Sequence, residues 1–146
     1  MNVAVKPEDM FADPKEDLLK RLGDLSGVEI AQNEVLLATY MRPKRTASGF
    51  YLPDQNLKED QYQGKTGLVV KIGAACRFVR TNEKTGVTYG VEINLHDWVV
   101  VRTSDTWPLE INAQGDGAFD YSAFVKCRLV FDDAIRMKVP YPGMVW

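Results

Sequence analysis

From residue 30 onward the chain is a succession of short runs rich in β-branched and aromatic residues, cut apart by turn chemistry, and this rhythm restricts it to an all-β fold. Residues 35–40, 68–72, 87–93, 98–102 and 125–131 have strand length and strand composition. Ile135, Met137 and Val139 alternate with Arg136 and Lys138, the pattern of a strand with one wet face. Asn82-Glu83-Lys84-Thr85-Gly86 reads as a hairpin tip with Gly86 left-handed. Asn112-Ala113-Gln114-Gly115-Asp116-Gly117 reads as a longer loop. Many short strands with glycine-bearing turns point to a small barrel or sandwich.

The two ends differ from this core. Residues 1–28 form an N-terminal arm with one short helix. Its start is Asp13 as N-cap, Pro14 at the first helical position and Glu16 at the third. Leu18, Leu19 and Leu22 supply a single apolar face, and Gly23 is placed to stop the helix. A helix this short is marginal by itself, so the leucines must dock on the domain or on a neighbour. Residues 140–146 are a proline-stiffened tail carrying Tyr141 and ending on Trp146. Leu18, Leu19, Leu22, Tyr141 and Trp146 are therefore candidate assembly contacts, with self-docking of the tail the competing expectation.

Bulk numbers exclude several classes. The chain has 146 residues, a formal net charge of −2 and no long basic block, which disfavours a dominant nucleic-acid role. Its first residues lack a basic start and an apolar run, so no secretory signal is expected, and no apolar segment approaches the ~20 residues of a membrane span. Cys76 and Cys127 show no Cys-x-x-Cys spacing, so neither a zinc site nor a disulfide framework follows, and both read as reduced thiols in a core.

Catalytic signals are weak. Gly64-Lys65-Thr66 ends like a phosphate-binding loop, but Glu59 stands where that motif needs glycine, and a strand follows instead of a helix. The single histidine, His96, lies beside Asp97, with Ser104 and Asp105 nearby, yet nothing implies a convergent triad, and a turn at a strand entrance explains them. Asp132 and Asp133 fit a turn before the last strand, through local bonds to backbone amides, better than a cation site. No catalytic residue, metal or cofactor is expected.

One segment stands apart. Ser48-Gly49-Phe50-Tyr51-Leu52-Pro53 places three large apolar side chains between Arg42, Pro43, Lys44 and Arg45 on one side and Asp54, Gln55 and Asn56 on the other. Residues 41–64, which also include Lys58, Glu59 and Asp60, are too polar to fold onto a core as a whole. An edge strand ended by Pro53 is one reading of the triplet. A displayed loop whose apolar tip is buried by a partner is the favoured one.

The order of these features resembles the small co-chaperonins of the GroES family. A loop with Gly49, then Phe50-Tyr51-Leu52, then Pro53 is followed by a polar stretch, Gly64-Lys65, and a strand ending at Gly73. Residues 93–100, with Asp97 before Trp98, Val99 and Val100, resemble a strand lead-in of that family. There His96 stands in place of a glycine, so a different turn is expected. The resemblance covers residues 30–139. It implies a small GroES-like β-barrel over residues 29–139 with its long loop at 41–64. It further implies a homo-oligomeric ring, and partner binding through Gly49, Phe50, Tyr51, Leu52 and Pro53 to a chaperonin ring of the GroEL type. Bulky loop residues and extra ends resemble phage or viral members, with a capsid protein as client, in the cytoplasm of a bacterial host. The alternative is a phage virion protein, a capsid decoration or neck component, built on the same barrel.

Overall fold

A computed structural model of the chain describes residues 14–41, 65–112 and 124–145. One short helix, α1 (Lys15–Leu22), precedes eight strands: β1 (Glu34–Thr39), β2 (Thr66–Ile72), β3 (Val79–Thr81), β4 (Thr88–Gly90), β5 (Trp98–Val101), β6 (Trp107–Ile111), β7 (Val125–Phe131) and β8 (Ile135–Val139). Six of them form one antiparallel sheet in the order β6-β7-β1-β2-β5-β8, and β3 and β4 pair only with each other. The fold is mostly β, as expected. Its outer strands β6 and β8 are not paired to one another among the described residues, so no strand ladder closes the sheet into a barrel.

The central strands are buried on both faces. In β1, Leu36 and Ala38 point into one apolar cluster and Val35 and Leu37 into a second. β5 divides in the same way, with Trp98 and Val100 on the first face and Val99 and Val101 on the second. A strand covered on both sides must be apolar at consecutive positions, which is why these runs do not alternate. Gly73 ends β2 where the chain passes close to the turn before β1. A Cβ there would lie 2.3 Å from the Gln32 carbonyl oxygen, so no larger residue fits without moving backbone.

The helix docks on this domain. Leu18 and Leu22 lie in the first cluster with the strand residues, and Leu19 and Leu25 pack against it. Pro14 precedes the helix instead of opening it, a shift of one residue from the expected start, and Asp13 lies outside the described residues. The Gly23 amide donates to the Leu19 carbonyl at 3.1 Å and ends the helix as expected. The tail folds back as well: Pro142 is fully buried, and Val145 packs on the first cluster.

Two strands escaped the sequence reading. β6 carries Pro108 and an exposed Trp107, and it lies at the edge of the sheet, where a missing backbone donor is tolerated. β3 is the first arm of the hairpin whose tip was expected at residues 82–86. The tip itself is as expected: Gly86 has φ of 72°, and its amide donates to the Asn82 carbonyl at 2.7 Å. The run expected over 87–93 is shorter as a strand, because only Thr88–Gly90 pairs before the chain turns toward the core at Ile93.

Candidate functional site

The expected partner-binding residues Gly49, Phe50, Tyr51, Leu52 and Pro53 lie outside the described residues, as does Trp146. The stem that carries residues 42–64 is well defined. β1 and β2 are antiparallel neighbours whose last and first residues meet, with Thr39 opposite Gly67. The Tyr40 amide donates to the Thr66 carbonyl at 2.9 Å, and the Val101 amide donates to the Lys65 carbonyl at 2.8 Å. Tyr40 is 5% exposed and meets Trp98 edge-on, with ring centroids 5.9 Å apart. Both ends of the insert are thus fixed to the middle of the sheet by backbone bonds and a buried aromatic pair.

On the other side of the molecule one carboxylate fastens the base of the β3–β4 hairpin, whose flanking Phe78 and Ile93 pack in the second cluster. Asp132 opens the turn Asp132–Ala134 between β7 and β8. One of its oxygens accepts from the Arg77 amide at 2.8 Å. The other accepts from the Asn33 side-chain amide and from the Arg80 guanidinium, each at 3.2 Å. Arg80 in turn donates from Nε to the Arg77 carbonyl at 3.1 Å, and its partner across the hairpin is Tyr89. Burial pushes the Asp132 carboxyl pKa up. The Arg77 amide, the Asn33 amide and the Arg80 charge outweigh that and hold it below the usual carboxylate range.

Asp132 was expected to shape its own turn by local bonds. Its main partners are distant in sequence, and it joins three segments: the turn before β1, the base of the hairpin and the β7–β8 turn. Nothing in a single run of residues signals such a convergence. Asp133, beside it, is exposed.

His96 occupies the turn into β5 with φ of 71°, a left-handed conformation. Its amide donates to the Val69 carbonyl at 2.7 Å, and Asp97 accepts from the Asn94 amide at 2.8 Å. The turn expected to differ from one built on glycine therefore uses the backbone conformation that glycine favours. Ser104 and Asp105 lie in a separate short turn, Thr103–Asp105, after β5.

Of the expected assembly contacts, Leu18 and Leu22 are 7% and 0% exposed within this chain's own core, and Leu19 and Tyr141 are half-buried. Large apolar side chains are exposed elsewhere. Trp107 is 66% exposed on β6, and Phe131 is 50% exposed at the end of β7. Trp107 lies opposite Leu129, which places Trp107 and Phe131 on one face of the sheet edge. Both cysteines are free. Cys127 is buried, which pushes its thiol up to about 12, while Cys76 is half-buried and donates to the Glu34 carbonyl at 3.4 Å. Among the described residues no helix is long and apolar enough to cross a membrane.

No protein-family model and no curated protein matches the chain.

Proposed function

We propose that this chain is a co-chaperonin-like protein of the GroES type. In this reading several copies form a ring, and their loops at residues 41–64 dock the ring onto a chaperonin, capping its folding chamber. Catalysis is not part of its role, and ATP chemistry belongs to the partner. The observation that carries the reading is the seating of the insert: both its ends are fixed at the centre of the sheet, where β1, β2 and β5 meet. A polar excursion with an apolar tip, launched from a rigid stem, suits docking into a groove. Ordering such a segment on binding keeps single-loop affinity modest, and repetition around a ring restores it through effective concentration. The left-handed His96 adds support, since it falls where the resemblance has a glycine.

The test is association with a chaperonin double ring in the presence of ATP, read by co-elution on size exclusion, for the wild type and Tyr51→Asp. Association that is lost in the variant, with the oligomer intact, is the expected result. An unpaired charge in an apolar groove costs several kcal/mol, more than weak single-loop binding can absorb. Undiminished association of Tyr51→Asp removes the loop from this role.

A second reading, a phage capsid or neck component on the same scaffold, is favoured by one feature. Trp107 and Phe131 are exposed on one face near the β6 edge of the sheet, suited to lateral packing in a particle. Absence of association with any chaperonin, including that of the source host, moves the assignment to this reading.

A further inference from the structure

β8 is the outermost strand on its side of the sheet. Its ladder runs to β5, and no backbone bond reaches its other edge among the described residues. The chain leaving β4 passes along that free edge: the Lys138 ammonium donates to the Glu92 carbonyl at 3.0 Å. Nearer the start of β8 the two segments part, leaving a groove of about 240 Å³. Its walls include Phe78, Tyr89, Val91 and Met137, the last three being 55%, 52% and 44% exposed. The volume is below the ~300–1,000 Å³ of small-molecule sites and is suited to one or two side chains.

Charged side chains also line the groove. Arg77, Arg80 and Arg136 line it, with Asp132 and Asp133. Asp132 is already occupied by Arg80, Asn33 and the Arg77 amide, and its side chain is 1% exposed. The Arg77 side chain has no partner among the described residues, and Arg136 reaches Asp105 only at 3.9 Å. Two guanidinium groups therefore stand beside an apolar socket and an unpaired strand edge.

We propose that this groove receives an extended acidic segment of another protein, which adds to the free edge of β8. Such a strand seats an apolar side chain between Tyr89 and Met137 and offers carboxylates to Arg77 and Arg136. Strand addition draws affinity from main-chain bonds and specificity from alternate side chains, and β8 itself alternates Arg136, Met137 and Lys138. Cationic side chains on an edge also repel basic strands, which blunts unspecific pairing and leaves acidic segments favoured. The proposal is independent of the loop at residues 41–64.

The test is titration of the isotope-labelled full chain with the peptide Glu-Val-Glu-Leu-Glu-Val-Glu, blocked at both ends, followed by amide chemical shifts and hydrogen exchange. Shifts at residues 77–91 and 135–138, with slowed exchange along β8, are expected. The Arg77→Ser/Arg136→Ser double variant, altered only at exposed side chains, should bind about tenfold more weakly. Three results overturn the proposal: no shift at millimolar peptide, equal binding of the same peptide with lysine for glutamate, or equal shifts from glutarate alone. The last marks a small-anion site.

Discussion

The six-stranded sheet and the β3–β4 hairpin are both antiparallel, yet they are held by opposite means. The sheet buries consecutive apolar residues of β1 and β5 on two faces, so its cohesion is spread over many side chains. The hairpin pairs only with itself, carries Val79, Val87 and Tyr89 at 40–59% exposure, and is tied down through Asp132. An isolated two-stranded hairpin is marginal in water. Its placement therefore depends on a few polar bonds and on its flanking Phe78 and Ile93, where the sheet depends on area removed from water along whole strands. Cohesion of the first kind can fail locally, while the second fails as a whole.

The largest expected effect breaks the sheet side of this contrast. Leu37 is fully buried in the second cluster beside Val35, Val69 and Val99. Leu37→Ala removes buried methyl groups and leaves a cavity between tightly paired strands, at a cost of about 3 kcal/mol. Chemical denaturation should show a lower midpoint, and native-state hydrogen exchange should show the same loss at β1, β2, β5 and β7 amides. A loss confined to β1 would mean that the sheet is not one cooperative unit.

Asp132→Ala strikes the hairpin side. It removes the acceptor for the Arg77 amide, the Asn33 amide and the Arg80 guanidinium, a change worth about 2 kcal/mol for bonds to a charged group. Exchange at Asn82, whose amide donates to the Val87 carbonyl across the hairpin at 2.8 Å, should accelerate more than exchange at β1 or β5. Acid sharpens the same point. The folded carboxyl titrates below its ordinary value of 3.8. Its stabilisation is therefore complete above that value and fades as pH falls through the lower folded value. Hairpin amides of the wild type should loosen over that acid range ahead of the sheet, and Asp132→Asn should abolish this pH dependence. Identical acid profiles for hairpin and sheet in the wild type would remove Asp132 as the separate fastening.

How far the sequence announces each region follows from the same contrast. β1, β2, β5 and β7 are legible because burial on both faces demands apolar, β-branched runs, and local composition carries that demand. The hairpin tip is legible because Asn82 and Gly86 are turn chemistry. β6 is obscured by Pro108, since proline argues against a strand except at an edge, and only the finished sheet order reveals where the edge is. The Asp132 fastening joins positions 33, 77, 80 and 132, and no periodicity or motif reports contacts at such separations. Of the candidate site, the stem is legible as the end of one strand and the start of the next. The tip triplet at residues 50–52 rests on the sequence alone.

The smallest expected effect tests whether a local strain in the sheet is separable from the hairpin. His96 holds φ of 71° at the entrance to β5, and its amide is bonded to Val69 of the neighbouring strand. A residue with a Cβ is disfavoured in this region by roughly 1 kcal/mol, while glycine adopts it freely. Its side chain is exposed, so His96→Gly removes no packing. Against the relief stands the greater freedom of glycine in the unfolded chain, so the net gain should be about 0.5 kcal/mol. Denaturation should show a slightly higher midpoint for the variant, with hairpin exchange at Asn82 unchanged. A lower midpoint would mean that the left-handed turn is not strained and that β5 entry is held by the Asn94–Asp97 bonds alone.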